Sequence, residues 1–203
     1  MQPSDVAQSY NKLADHWNSD KFDRNNGIAQ HERAIAFANP NNLDLKTALD
    51  VGCGSSGRII DLLTAHEYTV EGLDLSQEML VLARQRHPSV TFHHADICTW
   101  QPAKDYDFIS AWDSIWHIPQ AEQVPTMQKL LGALSSGGVM IFTTGGVDEP
   151  AEITNDAMGV PMYHSAPGIH NLLNVIQESG AQCRHLEYDQ YPEPHVYLIA
   201  QNS

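Results

Sequence analysis

The chain has 203 residues, of which 42% are hydrophobic, 18% charged and 8% aromatic. This composition is typical of one folded globular domain and excludes a disordered or collagen-like chain. The formal net charge of −14 repels nucleic acid and anionic membrane surfaces, so neither is an expected partner.

The cysteines and histidines give no sign of a disulfide framework or a metal site. Cys53, Cys98 and Cys183 are widely spaced, and the eleven histidines contain no H-x-x-x-H or H-E-x-x-H pair. No basic segment followed by an apolar run opens the chain, and no stretch approaches the roughly 18 apolar residues of a membrane span. We therefore expect a cytoplasmic protein without a metal, and its oligomeric state stays open.

Two amphipathic helices are predicted first. Apolar residues recur at three- and four-residue steps from Val6 to Trp17, and a second helix is predicted at about 26–38, with His31 on its apolar side. From there on, short apolar runs alternate with amphipathic segments. The runs predict strands at 47–51, 68–73, 90–95, 106–111 and 139–143, and the intervals predict helices at about 57–66, 77–87 and 121–134.

The rhythm breaks over residues 145–167, which are rich in Gly, Pro and acidic side chains and have no clear period. A gap of this length in a compact domain is usually a lid or a binding loop. A helix is then predicted at about 168–180, followed by strands at 183–188 and 195–200. Because their connection is too short for a crossover helix, these two strands should be antiparallel neighbours.

This order of elements predicts an α/β fold with a doubly wound, mostly parallel seven-stranded sheet and an antiparallel last strand. We expect a single domain over residues 1–203. Within it, the helices of residues 1–45 are expected to cover a ligand site, and residues 145–167 are expected to form a substrate lid.

A glycine-rich turn follows the first predicted strand. Gly52, Gly54 and Gly57 match G-x-G-x-x-G, and Asp74 lies 20 residues after Gly54, where a ribose-binding acid belongs. This spacing allows nicotinamide or another adenosine cofactor. Asp50 is expected to point to the mouth of the turn, where its charge repels pyrophosphate and attracts a sulfonium or ammonium group, which favours a cationic cofactor.

Together with later motifs, these residues resemble the class I S-adenosylmethionine-dependent methyltransferases, in particular their small-molecule group. The motifs are Leu49-Asp50-Val51-Gly52-Cys53-Gly54, Gly72-Leu73-Asp74-Leu75-Ser76 with Glu78-Met79-Leu80, Ala95-Asp96-Ile97, Tyr106-Asp107-Phe108-Ile109 and Leu134-Ser135-Ser136-Gly137-Gly138. The resemblance covers about 47–143 and implies a Rossmann-like fold with S-adenosylmethionine as the cofactor. The chain departs from the family at Ser56, where the third glycine is usual, because its own third glycine comes one place later.

The resemblance also implies which residues hold the cofactor. Asp74 is expected to bind the ribose hydroxyls and Asp96 the adenine amino group. Tyr10, Trp17 and His31 are placed to close over the site from the N-terminal helices. The full set of expected cofactor-binding residues is Asp50, Gly52, Cys53, Gly54, Asp74, Leu75, Met79, Asp96, Ile97, Trp112 and Tyr10.

The segment after the fourth predicted strand is the best candidate for chemistry, since open α/β sheets bind ligands at the carboxyl ends of their strands. Here Trp112 and Trp116 are expected to exclude water, Asp113 to orient a nucleophile and His117 to remove its proton. The alternative for His117 is a loop histidine bonded to backbone. The expected substrate contacts are Trp116, Tyr163 and His164.

These observations predict methyl transfer from S-adenosylmethionine to a small-molecule acceptor. The first alternative is a nicotinamide-dependent oxidoreductase, which the glycine spacing allows. However, the chain has no Tyr followed four positions later by Lys, the catalytic pair of the short-chain dehydrogenases. The second alternative is a domain that binds S-adenosylmethionine without catalysis, because intact binding motifs do not guarantee turnover.

Overall fold

We describe the protein from a computed structural model that covers residues 1–19, 23–39, 46–156 and 158–203. Parts of two predicted segments, residues 20–22 and 40–45 of 1–45 and residue 157 of 145–167, lie outside the described residues. Within the described chain, no helix is long and apolar enough to cross a membrane.

The described residues contain a seven-stranded sheet of order β3-β2-β1-β4-β5-β9-β8 and a separate two-stranded sheet, β6-β7. The strands are β1 (Lys46–Val51), β2 (Tyr68–Asp74), β3 (Thr91–His94), β4 (Tyr106–Ala111), β5 (Leu134–Gly145), β6 (Ala151–Asn155), β7 (Met162–Ala166), β8 (Ala181–Glu187) and β9 (His195–Asn202). Strands β1 to β5 pair in parallel, and β9 runs antiparallel to both β5 and β8. The predicted fold class is confirmed.

The helices connect and cover these strands as the apolar periodicity predicts. They are α1 (Pro3–Trp17), α2 (Ile28–Ile35), α3 (Arg58–Ala65), α4 (Gln77–Arg86), α5 (Gln120–Gly132) and α6 (Ile169–Glu178), with a 3₁₀ turn at Ile115–His117. Helix α2 begins later than predicted because a turn with Gly27 at φ +82° precedes it, and it ends at Ile35 rather than at about residue 38. Burial explains the strand sequences, since every residue of β4 is buried between helical layers.

The prediction that residues 145–167 are irregular is wrong. Strand β5 continues to Gly145, and β6 and β7 then form an antiparallel hairpin. All residues of β6 but the last are exposed, so the strand lacks the alternation of buried and exposed residues that marks a strand in a sequence. One end of the hairpin is fixed to α1, where Val6 packs against Met162 and Tyr163.

The antiparallel turn-back of the last two strands is confirmed, and it positions a residue that matters below. Strand β9 begins at His195, which pairs with Gly145 at the carboxyl end of β5. The first residue of β9 therefore lies at the edge of the sheet where the parallel strands end.

Candidate functional site

The glycine turn at the end of β1 leaves an opening toward one cavity. Gly52, Gly54 and Gly57 all have positive φ angles, of 70°, 55° and 67°, which glycine adopts without strain. A Cβ atom on Gly52 would lie 2.2 Å from Cβ of Ser114, whereas one on Gly54 would meet nothing within 4 Å. Thus Gly52 allows close packing, and Gly54 keeps one side of the turn open.

Asp74 braces this turn from the end of β2. Its Oδ2 accepts a hydrogen bond from the Gly54 backbone N–H at 2.8 Å, and its Oδ1 accepts one from Ser76 N–H at 2.8 Å. Burial raises the pKa of Asp74, and the two backbone donors oppose that rise. Ser76 also caps α4, because its Oγ accepts from Met79 N–H at 3.2 Å.

The cavity has a volume of about 1000 Å³, counting its open mouth. Both predicted catalytic residues, Asp113 and His117, line it, and so does Trp17. Ten of the eleven residues predicted to hold the cofactor line it as well: Tyr10, Gly52, Cys53, Gly54, Asp74, Leu75, Met79, Asp96, Ile97 and Trp112.

Asp50 is the residue that does not line the cavity. The expectation that it points to the mouth of the turn is wrong, because its carboxyl is buried and hydrogen-bonded with Ser110. Burial raises the pKa of Asp50 to about 6, and nearby Arg58 opposes the rise. Arg58 lines the cavity instead, and its Nε donates to the Asn26 carbonyl oxygen at 2.8 Å.

His31 also lies away from the cavity, under β4 rather than over the cofactor. It is fully buried, its Nδ1–H donates to the Gly27 carbonyl oxygen at 2.7 Å, and its Nε2 lies 2.9 Å from Ser110 Oγ. The apolar face of α2 therefore carries a polar group that is satisfied inside the core.

His117 is held in one tautomer. Its Nδ1 must carry the proton, because it donates to the Tyr163 carbonyl oxygen at 2.7 Å. The lone pair on Nε2 accepts from the Tyr10 hydroxyl at 2.8 Å and from Trp116 Nε1–H at 3.0 Å. Burial lowers the pKa of His117 to about 4, so the ring is neutral near pH 7.

Asp113 has a conformation that marks it out. Its φ angle is +51°, a left-handed value that non-glycine residues rarely adopt and that is most frequent at functional sites. Its N–H donates to Thr143 Oγ1 at 2.7 Å, and its Oδ1 lies 3.1 Å from His195 Nε2. The other ring nitrogen, Nδ1, lies 2.5 Å from Asp189 Oδ1.

His195 and Asp189 were not predicted from the sequence. Burial opposes protonation of His195, but the hydrogen bonds to Asp113 and Asp189 raise its pKa. The predicted antiparallel pairing of β8 with β9 was the available signal, since it brings the start of β9 back to the edge where Asp113 lies.

The three predicted substrate contacts lie beside the cavity rather than among its lining residues. The ring of Trp116 is 5.8 Å from that of His164 between centroids, and His164 is 4.7 Å from His117. The Tyr163 side chain turns toward the hairpin and donates from its hydroxyl to Glu152 at 2.6 Å. Only the Tyr163 carbonyl faces the site, through His117.

The comparisons with known proteins agree with this geometry. Residues 48–138 match the family model described as a methyltransferase domain. A trans-aconitate 2-methyltransferase from Rhodopseudomonas palustris is 34% identical over 160 residues, which are 77% of this chain and 56% of that protein. The chain therefore contains a methyltransferase domain of the class I S-adenosylmethionine-dependent type.

Two further relatives of this methyltransferase chain are informative. A dTDP-3-amino-3,6-dideoxy-alpha-D-glucopyranose N,N-dimethyltransferase from Streptomyces fradiae is 32% identical over 46% of this chain and 37% of that protein. The CcbJ methyltransferase from Streptomyces caelestis matches the fold with a TM-score of 0.74 over 100% of both chains at 14% identity. The chain spans little more than half the length of the first relative and less of the second.

The cavity fits the family cofactor. The open face at Gly54 admits the chain of a nucleoside-linked amino acid, and Asp74 and Asp96 lie at the ends of adjacent strands with acceptor oxygens for hydroxyl and amino groups. Three carboxylates line the cavity and attract a sulfonium, namely Asp74, Asp96 and Asp113. Among the described residues, no group of His, Cys, Asp or Glu side chains is arranged to hold a metal ion.

Proposed function

We propose that this protein transfers the methyl group of S-adenosylmethionine to a small-molecule acceptor. One observation supports this most strongly: the open glycine turn, the Asp74 brace and the Asp113–His117 segment all line a single cavity. The cofactor, when bound, supplies the methyl group and a neutral thioether leaving group.

The residues of the chain position the reactants. Asp74 holds the ribose hydroxyls and Asp96 the adenine amino group, as the family resemblance implies. We call the part of the cavity next to Asp113 and His117 its acceptor end. Trp112 and Ile115 exclude water there, since both are buried and line the cavity. Methyl transfer is an in-line displacement, so alignment and exclusion of water contribute most of what the protein adds.

We propose that His117 acts as the general base and that Asp113 orients the acceptor. His117 Nε2 already accepts two hydrogen bonds, so it takes a proton from an acceptor only when Tyr10 or Trp116 gives way. Asp113 has the freer side chain of the two, with 29% of it exposed.

The identity of the acceptor is also a proposal. The relatives are a trans-aconitate methyltransferase and a methyltransferase of a dTDP-linked amino sugar, which supports a small-molecule acceptor without selecting one chemical class. The net charge of −14 disfavours nucleic acid. The cytoplasmic location stays a prediction, supported by three free cysteines among the described residues.

The test uses the full chain, S-adenosylmethionine with a deuterated methyl group, and a small-metabolite extract. We expect a labelled product in the mass spectrum that needs active protein, together with binding of S-adenosylhomocysteine by calorimetry. Binding of NAD without binding of S-adenosylmethionine would support the oxidoreductase instead. Normal S-adenosylmethionine binding without any labelled product would favour the non-catalytic alternative.

A further inference from the structure

The charge lining the cavity disagrees with a polyanionic acceptor. Of the described residues that line it, Asp74, Asp96 and Asp113 carry carboxylates, and Arg58 alone carries a permanent positive charge. Arg58 is already engaged, because its Nη1 donates to Ser56 Oγ at 2.9 Å and its Nε to the Asn26 carbonyl oxygen. An acceptor with several carboxylates would find no free cation on these residues.

His117, which lines the cavity, and His164, which lies beside it, do not supply that cation either. His117 donates through Nδ1 and accepts two hydrogen bonds at Nε2, an arrangement that only the neutral ring can adopt. Burial lowers the pKa of His164 as well. Both rings therefore contribute aromatic surface rather than positive charge near pH 7.

Asp113, by contrast, is part of a charge-paired row with His195 and Asp189. His195 lies between two carboxylates, with Nε2 facing Asp113 at 3.1 Å and Nδ1 facing Asp189 at 2.5 Å, so both nitrogens donate and the ring is an imidazolium. Gln30 Nε2 donates to the second oxygen of Asp189 at 2.9 Å, which fixes the position of Asp189 in the row Asp113–His195–Asp189. The row of two carboxylates and one imidazolium keeps a net negative charge.

Aromatic side chains lie near the same place. Tyr10 and Trp112 line the cavity, Tyr10 lies 5.4 Å from His117 between ring centroids, and Trp112 lies 5.8 Å from His195. The Asp113 carboxylate acts electrostatically on both Tyr10 and His117, so it lies at this end of the cavity. A carboxylate among aromatic faces is the combination that binds organic cations.

We propose that the acceptor is an amine and that Asp113, positioned by His195 and Asp189, binds its nitrogen end. This inference rests on the proposed methyl transfer and names the acceptor class for that reaction. This acceptor class differs from that of a tricarboxylate methyltransferase. The carboxylates that line the cavity would repel the several negative charges of a tricarboxylate.

The chemistry balances with the proposed cofactor alone. The ammonium form of the acceptor first loses a proton to water. The nitrogen lone pair then forms a bond to the methyl carbon while the carbon–sulfur bond breaks. The electron pair of the broken carbon–sulfur bond stays on sulfur. The positive charge moves from sulfur to nitrogen, beside the Asp113 carboxylate, which stabilises it as it develops. The methylated nitrogen then releases its second proton to water or keeps it as an ammonium.

The test compares two probes of similar size and opposite charge, benzylamine and phenylacetate, on the full chain saturated with S-adenosylhomocysteine at pH 7. Dissociation constants come from NMR titration. We expect benzylamine to bind about tenfold more tightly or better, the size of one charge-assisted contact, and Asp113→Asn to remove most of that preference. Asn tolerates the left-handed backbone at this position, so the variant should fold.

Glu178→Gln is the matched control, because it removes one negative charge from an exposed position on α6, away from the cavity. It should leave the preference for benzylamine unchanged. Equal or tighter binding of phenylacetate, or no measurable binding of benzylamine, would overturn the proposal, and so would deuterium-labelled methyl ester formed from trans-aconitate. S-adenosylhomocysteine affinity is measured first, so a failure of the proposed function is seen separately as a lack of cofactor binding.

Discussion

Asp74 has two functions, because the carboxylate that is expected to hold the ribose also accepts hydrogen bonds that fix the glycine turn. Asp74→Ala removes both, and we expect it to weaken S-adenosylhomocysteine binding roughly ten- to a hundredfold, the size of one hydrogen bond to a charged group. Asp74→Asn is the informative comparison, since it keeps one acceptor oxygen and should lose less. Calorimetry on both variants decides, and an unchanged affinity in Asp74→Ala would exclude a ribose contact.

His117 gives a residue-scale prediction that needs no substrate. We expect NMR to show a neutral ring with the proton on Nδ1 at pH 7 and a titration near pH 4, as its burial dictates. Tyr10→Phe should raise the pKa of His117, because it removes a donor that competes with a proton for Nε2. Titration of His117 near pH 6.5 in the wild type would contradict the described hydrogen bonds.

The site was predictable where its residues lie inside ordered motifs along the sequence. The glycine turn and Asp74 follow from strand-end spacing. Asp50 was misplaced, because spacing cannot tell whether a carboxylate at a strand end points outward or is buried against Ser110. His195 was missed because it reaches Asp113 across 82 residues of sequence, and no local pattern records such a contact.

The hairpin of β6 and β7 is part of the structure that supports the site. One of its attachments is Gln123, whose side chain is buried on α5. Gln123 Nε2 donates to the Ile115 carbonyl oxygen at 2.8 Å and to Ser165 Oγ at 2.9 Å. One side chain thus joins the 3₁₀ turn that carries His117 to strand β7.

We expect Gln123→Ala to lower the free energy of unfolding by about 1–3 kcal/mol, because it leaves buried acceptors without a donor. Urea denaturation measures this directly. Gln177→Ala on the exposed side of α6 is the control and should change stability far less. An effect of Gln123→Ala no larger than that of the control would show that the Gln123 hydrogen bonds do not hold the hairpin.

The elements themselves were largely predictable, and the exceptions have physical causes. Buried parallel strands appear as continuous apolar runs, so β1, β2 and β4 were placed within one residue of their ends. Strand β5 runs longer than predicted because its first residues, Leu134–Gly138, include a Ser-Ser-Gly-Gly stretch that is typical of a turn. The role of residues 145–167 as a substrate lid stays a prediction.

Across the protein, buried titratable groups change the free energy of unfolding with pH in opposite directions. Burial lowers the pKa of His31 and of His117 to about 4, so their contributions are present above pH 6.5 and are lost as the pH falls through 4. Burial raises the pKa of Asp50 to about 6, so its contribution is present below its unfolded value and is lost as the pH rises through 6. His31 and His117 therefore lower stability on acidification from pH 6.5 to 4, whereas Asp50 and Asp74, whose pKa values burial raises, act in the opposite direction.

His31 isolates one part of this pH dependence, because it lies outside the cavity and is fully buried between Gly27 and Ser110. A shift from 6.5 to about 4 corresponds to at most about 3 kcal/mol of stability lost between these pH values. His31→Gln should be less stable at pH 7 but should show a flatter dependence of unfolding free energy on pH. His170→Gln, at an exposed position on α6, should keep the wild-type slope. The slope comes from urea denaturation at several pH values, and an identical slope in wild type and His31→Gln would show that protonation of His31 does not drive the loss.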